Sequence, residues 1–422
     1  MTGAVRPADY LKVFTNRRIA AVLLLGFSSG LPLALTAGTL QAWLAVENID
    51  ITTIGFFTLA GQPYIYKFLW APLMDRFAPP IFGRRRGWIL LAQLALLATI
   101  GFMGTLSPRE TPWLLGGTAL LIAFLSASQD IVIDAYRTDV LHEPERGAGA
   151  AISVMGYRIA MLVSGGLALV LADQVLGWSG MYFLMASLMG VGMVATWFAP
   201  EPEDAGRAPA SLGAAFVEPL REFLGRNGAW LLLLLIVLYK LGDAFAGTLT
   251  TAFLIRGVGF SATDVGAINK ALGLAATITG ALVGGAWMAG LGLYRSLMIF
   301  GVLQAVTNLG FMVLAMAGKS YSLMVAAVGA ENLCGGMGTA AFVALLMSLC
   351  NHRFSATQYA LLSALAAVGR VYVGPASGYL VVAIGWAPFF FFTFLIALPG
   401  LWLLWLLRAR LEPVPSTVPP AS

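Results

Sequence analysis

Ser126, Asp130, Asp134 and Arg137 follow one another at steps of four, four and three within Ser126-Ala-Ser-Gln-Asp-Ile-Val-Ile-Asp-Ala-Tyr-Arg-Thr-Asp-Val-Leu141. On one helix that spacing lines them along a single face, while Ile131, Val132 and Ile133 look elsewhere. The run that carries them is apolar from Trp113 onward. A face this polar cannot meet lipid, because a bare carboxylate in hydrocarbon costs about 2.5–3.5 kcal/mol even on a lenient insertion scale. It must face other protein or a water-filled path. Two carboxylates beside Gln129, with only one arginine nearby, favour a functional site. The competing reading is an Asp134–Arg137 ion pair that only pins helices together.

The elements that position these residues follow from composition. The chain of 422 residues is 59% hydrophobic and 11% charged, with a mean hydropathy of +0.84. Soluble domains carry about 25% charge, so this is an integral membrane protein, and at about 20 residues per span it holds about twelve spans. Candidate spans lie near 19–46, 52–74, 88–107, 113–138, 147–172, 177–199, 228–254, 262–288, 295–317, 321–349, 356–383 and 386–408. The pI near 9.3 does not indicate nucleic acid, since the basic residues sit in loops between spans and form no single patch. Arg17-Arg18 precedes a full-length span, which reads as an uncleaved first helix. Cys334 and Cys350 fall on one predicted helix about 24 Å apart, too far to bridge. His142 and His352 fall in loops, so no metal site is expected.

Orientation follows from loop cations. With both termini on the cytoplasmic side, that side holds Arg6, Lys12, Arg17, Arg18, Arg76, Arg84, Arg85, Arg86, Arg146, Arg207, Arg221, Arg226, Arg295, Arg353, Arg408 and Arg410, against Arg109, Arg256 and Lys319 opposite. The segment 200–227 interrupts the apolar pattern. Pro200-Glu-Pro-Glu-Asp204 and Pro209 form a polar linker, and 211–226 reads as an amphipathic helix lying on the membrane surface. The expected domains are a six-helix bundle over 1–199, the linker over 200–227, a second bundle over 228–411 and a Pro-rich cytoplasmic tail over 412–422. The two halves look related. A shift of 212 lays Arg158 on Arg370 and Gly166 on Gly378, each followed by Gly-Trp (Gly177-Trp178, Gly385-Trp386), and a shift of 211 lays Gly55 on Gly266.

Parallel six-span repeats joined by a cytoplasmic loop are how major facilitator transporters are built. Ala71-Pro-Leu-Met-Asp75-Arg76, followed by Gly83-Arg84-Arg85-Arg86, resembles that superfamily's loop signature between spans 2 and 3. It departs in having Ala for the first Gly and about five extra residues within 77–82. The resemblance implies an all-α major facilitator fold of twelve transmembrane helices in two pseudo-symmetric bundles. It also implies a cytoplasmic latch in which Asp and Arg residues pair across helix ends: Asp75, Arg76, Arg84 and Arg85, with Asp134, Arg137 and Asp139 on span 4. Plain topology signalling would account for the three arginines but not for Asp75.

Ten ionisable residues fall within spans: Lys67 on span 2, Asp130, Asp134 and Arg137 on 4, Arg158 on 5, Lys240 and Asp243 on 7, Lys270 on 8, Glu331 on 10 and Arg370 on 11. Spans 3, 6, 9 and 12, the outer helices of the resembled fold, have none beyond Arg295 and Arg408, counted above at their cytoplasmic ends. Buried charge is tolerable only where partners or water meet it, so this sorting is what a central polar cavity would produce. Counting 1.5 Å per residue puts Arg158, Lys240 and Glu331 near the midplane, where such transporters place substrate. Cations outnumber anions there, and an arginine fork matches a carboxylate, which points to an anionic substrate. Candidate binding residues are Gln129, Lys67, Arg158, Lys240, Lys270 and Arg370, with Tyr64 and Tyr157 able to stack on sugar rings or simply pack the interior. The alternative is structural pairing of Lys240 with Asp243, and of Arg158 and Arg370 with Glu331. Asp130, Asp243 and Glu331, carboxylates among apolar neighbours, are the candidates for proton coupling. Gly26-Phe-Ser-Ser-Gly30-Leu-Pro32, Gly335-Gly336-Met-Gly338 and Gly374-Pro375 suit either hinges or close packing.

Longer motifs carry a narrower resemblance. Gly26-Phe-Ser-Ser-Gly-Leu-Pro-Leu-Ala-Leu-Thr36, Thr39-Leu-Gln-Ala-Trp43, Val46-Glu-Asn-Ile-Asp50, Lys67-Phe-Leu-Trp-Ala-Pro-Leu-Met-Asp-Arg76, Gly83-Arg-Arg-Arg-Gly-Trp88, Ser126-Ala-Ser-Gln-Asp-Ile-Val132 and Gly147-Ala-Gly-Ala-Ala-Ile-Ser-Val154 resemble the AmpG muropeptide permease family. They cover the first half densely and the second weakly. The resemblance implies a monomeric, multi-pass importer in the bacterial inner membrane, driven by the proton gradient and needing no cofactor. It would carry N-acetylglucosaminyl-1,6-anhydro-N-acetylmuramyl peptides released during cell-wall turnover into the cytoplasm for recycling and, in some bacteria, for β-lactamase induction. Some members of the family carry further C-terminal spans.

The nearest alternative is a proton-coupled drug exporter on the same fold. Its span-5 signature, Gly-Pro with flanking glycines, is missing between Gly156 and Gly166, although Gly374-Pro-Ala-Ser-Gly378 on span 11 is similar. A membrane sensor or scaffold would not need ten ionisable side chains in the bilayer. An enzyme is not expected, as no nucleophile stands beside a base.

Overall fold

Long apolar runs in a chain this poor in charge must satisfy their backbone groups internally, which helices do. The computed structural model describes residues 16–77, 79–80, 82–141, 146–201, 220–350 and 355–411, and every element among them is helical. Ten of these helices are long and apolar enough to cross a membrane.

The expected second span takes a different form. Residues 51–76 run as Ile51–Phe57, Thr58–Gly61, Gln62–Tyr66, Lys67–Leu69 and Ala71–Arg76, a broken series of short helical pieces. Gly61, Pro63 and Pro72 supply the breaks, since a proline lacks the N–H that a helix interior needs. Expected spans 5 and 6 lie within one apolar stretch, Ile152–Phe198, divided at Gly177. Its φ of +65° is closed to ordinary side chains. The same backbone recurs at the other junctions of this kind: φ/ψ is 75/−176 at Gly83, 77/167 at Gly292 and 80/174 at Gly385. The repeat read from Gly-Trp pairs is thus repeated as a turn geometry.

The first span also bends. Arg17–Thr36 contains Pro32 and gives way at Ala37 (φ −113°, ψ −103°) to Gly38–Val46. The Leu35 carbonyl beside the break accepts the Tyr182 hydroxyl at 3.0 Å, and Thr39 donates to the Ser164 carbonyl at 2.6 Å.

Two compact units emerge. The first takes in Met1–Gly213, Thr251–Ala271 and Gly374–Tyr379, and the second the remainder. In the first, Ile19, Leu25, Ile89, Val132 and Tyr136 centre an apolar core. Close helix approach holds it: a Cβ on Gly26 would fall 2.5 Å from the Ser153 carbonyl oxygen, and one on Gly156 would strike the Leu23 carbonyl. Gly26 and Gly30 thus serve packing of span 1 on span 5, not a hinge. The second unit packs around Leu235, Ile236, Tyr239, Phe300 and Leu345, with Gly280 and Gly336 admitting helix contact at Leu333 and Thr277. Both cysteines are free, Cys334 buried and Cys350 beyond the helix end.

Candidate functional site

The polar face of Pro112–Val140 divides into three settings. Asp130 accepts a hydrogen bond from the Ser29 hydroxyl of span 1, with Lys67 and Asp134 within electrostatic reach. The buried hydroxyl of Tyr64 lies at this site beside those of Ser126 and Thr36, with Asp130 and Tyr157 in electrostatic reach. One turn further on, half-exposed Asp134 pairs with Arg137 at 3.1 Å, and Arg137 donates to Ser153 at 3.1 Å. The competing ion-pair reading therefore holds for this turn alone, and such an exposed pair contributes only about 0.2–1 kcal/mol.

Gln129 points elsewhere. It is fully buried and donates to Ser28 at 3.1 Å, and Ser28 also accepts from Gln93 at 3.3 Å. Thr196 donates to Gln93 at 2.9 Å. Gln129 is thus committed to a packed polar chain joining spans 1, 3, 4 and 6. Lys270 lies in an eight-residue π-helical stretch, Val265–Leu272, hydrogen-bonded to Thr251 at 3.1 Å and packed so tightly on Gly38 that a Cβ there would come 2.7 Å from Nζ. Among the described residues no carboxylate pairs with it. Arg158 is exposed and likewise unpaired among them.

The second unit gathers Lys240, Asp243, Glu331 and Arg370. Lys240 donates to Asp243 at 3.2 Å and to Thr339 at 3.5 Å, and stands 5.5 Å over the Phe342 ring. Arg370 is exposed, with Asp243 in electrostatic reach. Glu331 senses Asp243 and Lys240 and accepts from Asn332 at 2.9 Å, whose own carbonyl accepts from Thr277 at 3.1 Å. The i,i+3 pairing of Lys240 with Asp243 weighed from sequence is present, whereas no ion pair joins Arg158 or Arg370 to Glu331 among the described residues.

At the arginine-rich end of the first unit, Arg85, itself buried, pairs with Asp139 at 2.8 Å. Arg86 donates to the carbonyls of Thr196 and Trp197 at 3.0 and 2.8 Å, Arg17 to Phe198 at 2.6 Å, and Tyr136 to Pro200 at 2.8 Å. Glu201 accepts from the backbone N–H groups of Arg85 and Arg86, capping the helix Arg84–Met103. Burial pushes the Glu201 carboxyl above its usual range, an effect that those N–H groups and the neighbouring guanidiniums only partly offset. Sequence reasoning placed Glu201 in a linker and left Arg86 out of the latch. The signal was Gly83, whose bare Cα makes room for Glu201: a Cβ there would lie 2.6 Å from Oε1. The side chains of Asp75 and Arg76 lie outside the described residues, as do His142, His352 and most of the expected amphipathic helix. Its described end is tied down by Arg226, which grips Glu222 at 2.7 Å and donates to the Leu349 carbonyl at 2.5 Å.

Ten helices able to cross a membrane, several broken at glycines and prolines, and charge carried by seven of the expected spans describe a multi-pass membrane protein, and the family match makes it a transporter. Residues 22–372 match the family model described as Major Facilitator Superfamily. The anhydromuropeptide permease of Escherichia coli K12 is 62% identical over 405 residues, covering 96% of this chain and 82% of that one. A putative AmpG 4 transporter of Rickettsia felis is 32% identical, covering 95% and 99%. The chain belongs to the AmpG permease family of the Major Facilitator Superfamily. Two solved structures share the fold: a bacterial homolog of the human lysosomal transporter Spinster, inward-facing and unoccupied (TM-score 0.72, 15% identity, covering 98% of this chain and 100% of that one), and a peptide-bound POT family transporter (0.71, 13%, covering 94% and 96%).

Proposed function

We propose that this protein imports anhydromuropeptides across the bacterial inner membrane, from periplasm to cytoplasm, by proton-coupled alternating access. The observation that carries the reading is 62% identity, over nearly the whole chain, to a permease named for that cargo. The charged clusters support it: a muropeptide brings carboxylates, amides and sugar hydroxyls, and Lys240, Arg370 and Lys67 with Tyr64 and Tyr157 offer matching groups. Arg158 and Lys270 remain candidate cations. Asp130, Asp243 and Glu331 are the proposed proton carriers, with both termini cytoplasmic, domains of 1–199 and 228–411, and a monomer as the working unit. Arg85–Asp139 and the Glu201 cap form the proposed latch.

The test is uptake of labelled anhydromuropeptide into vesicles with and without an imposed proton gradient. Gradient-dependent accumulation is expected, together with its loss in at least one of Asp130→Asn, Asp243→Asn and Glu331→Gln. Uptake that ignores the gradient, or coupling that survives in all three variants, overturns the proton assignment. Absence of any uptake overturns the cargo.

A further inference from the structure

Span 7 breaks where span 1 does. Span 1 gives way at Ala37, and the helix Ala229–Thr248 ends at Leu249 (φ −112°, ψ 11°). The shift of 212 that aligns the two halves lays one break on the other. Beyond Leu249 the chain runs as Thr250–Ala252, the π-helical Phe253–Gly257 and Ala262–Asp264, then the π-helical stretch that carries Lys270. Thr251–Ala271 belongs to the first unit, although the chain through Thr250 and from Leu272 belongs to the second. It is a hairpin seated on the first unit, with irregular backbone at both roots, where a hinge can absorb a change in φ and ψ.

The hairpin is fastened at the end of the first unit remote from Arg85. Arg256 donates to the Ile49 carbonyl, in a loop that Arg109 fixes through the Glu47 carbonyl at 3.1 Å. Asp173 accepts from the Thr263 N–H at 3.1 Å and from its hydroxyl at 2.5 Å, and Gln41 accepts from the Ala252 N–H at 3.2 Å. Phe253 and Leu254 on the hairpin are fully buried, and a Cβ on Gly266 would lie 2.7 Å from the Gly166 carbonyl oxygen of span 5. At the base the balance is opposite. Among the described residues Lys270 Nζ reaches only the Thr251 hydroxyl, at 3.1 Å, and it is pressed on Gly38 beside the break in span 1. A cation held in a membrane interior by one neutral hydroxyl is poorly solvated, and lifting the hairpin returns it to water.

We infer that residues 251–271 form a lid, latched at its rim by Arg256, Asp173 and Gln41 and loaded toward opening at its base by Lys270. The inference rests on the alternating-access reading above and deepens it, naming the piece that opens and closes one end of the path. Two opposite effects follow. Removing a rim contact loosens the lid, whereas an apolar side chain in place of Lys270 removes the load and holds it shut.

The test uses the full-length protein in lipid nanodiscs, with Cys334→Ala and Cys350→Ala and a single reporter, Leu254→Cys, labelled by a hydrophilic maleimide. Arg256→Ala and Asp173→Ala should each speed labelling about two- to tenfold, and Lys270→Met should slow it by a comparable factor. A reporter in the core of the first unit, Val22→Cys, should respond to none of the three. Rim variants that leave Leu254→Cys unchanged, or that speed Val22→Cys equally, overturn the lid. Faster labelling in Lys270→Met overturns the loading. A disulfide between Asp173→Cys and Thr263→Cys should stop uptake of labelled anhydromuropeptide until a reductant restores it, and undiminished uptake by the cross-linked protein overturns the lid as a gate. No uptake by the wild type, with the labelling pattern as expected, overturns the transport reading and leaves the lid standing.

Discussion

Gly83 and Gly177 hold nearly the same backbone, φ +75° and +65° with ψ close to 180°, but in different surroundings. Alanine at either position must enter a region reserved for glycine, at about 1–3 kcal/mol. At Gly177 nothing lies within 4 Å of the added carbon, so strain is the whole effect. At Gly83 the carbon would come 2.6 Å from Glu201 Oε1 and 2.8 Å from its Cδ, displacing the carboxylate from the N–H groups of Arg85 and Arg86. Losing an N-terminal cap adds about 0.5–2 kcal/mol. Gly83→Ala should therefore destabilise by about 1.5–5 kcal/mol and Gly177→Ala by the strain alone. Thermal unfolding of both variants in one detergent measures the difference, and Glu201→Ala supplies the third leg. With Glu201 already removed, Gly83→Ala should cost no more than Gly177→Ala. If Gly177→Ala is the more damaging of the two, or if Gly83→Ala costs as much without Glu201 as with it, the capping argument is wrong.

Arg85→Ala should cost about 3–5 kcal/mol, because it strands Asp139 in a largely buried setting, whereas Arg109→Ala, which breaks an exposed pair with Glu47, should be near neutral in the same unfolding assay. Gly26→Leu should abolish monodisperse expression by driving span 1 from Ser153, while Gly117→Leu, with nothing within 4 Å, should express normally. Glu201 gives a pH signature. Its folded carboxyl sits above the usual range, so the folded chain holds that proton more tightly than the unfolded one. Its contribution is most favourable below the ordinary glutamate value of about 4.3 and declines as pH rises from there through the folded value. Glu201→Gln should flatten thermal stability over that window, and an unchanged slope would assign the effect elsewhere.

Part of this was legible because hydrocarbon is an unforgiving solvent: Asp130, Lys240 and Asp243 do meet partners, on Ser29 or on each other, while Arg158 and Arg370 are exposed. Direction was harder to read. Gln129 and Asp130 are neighbours in sequence, yet one is committed to Ser28 and the other to Ser29, because adjacent residues on a helix look about 100° apart. Which of them meets a ligand depends on the partner helix, and nothing local reveals that. Lys240 and Asp243 could be paired from their spacing, but the tether from Asn332 to Glu331 needed Thr277 from another span. The broken second span was foreseeable from Gly61, Pro63 and Pro72, where overall hydropathy masked the breaks. Glu201 was hidden by its prolines, which made a cap look like a spacer.

The single-residue joints at Gly177, Gly292 and Gly385 carry a consequence for biogenesis. One residue reaches less than 4 Å, against a bilayer core about 30 Å thick, so the helices on either side cannot be delivered separately. During synthesis each such couple must enter the lipid as one hairpin. A ribosome stalled between the two members would leave half of an obligate pair waiting at the insertion machinery.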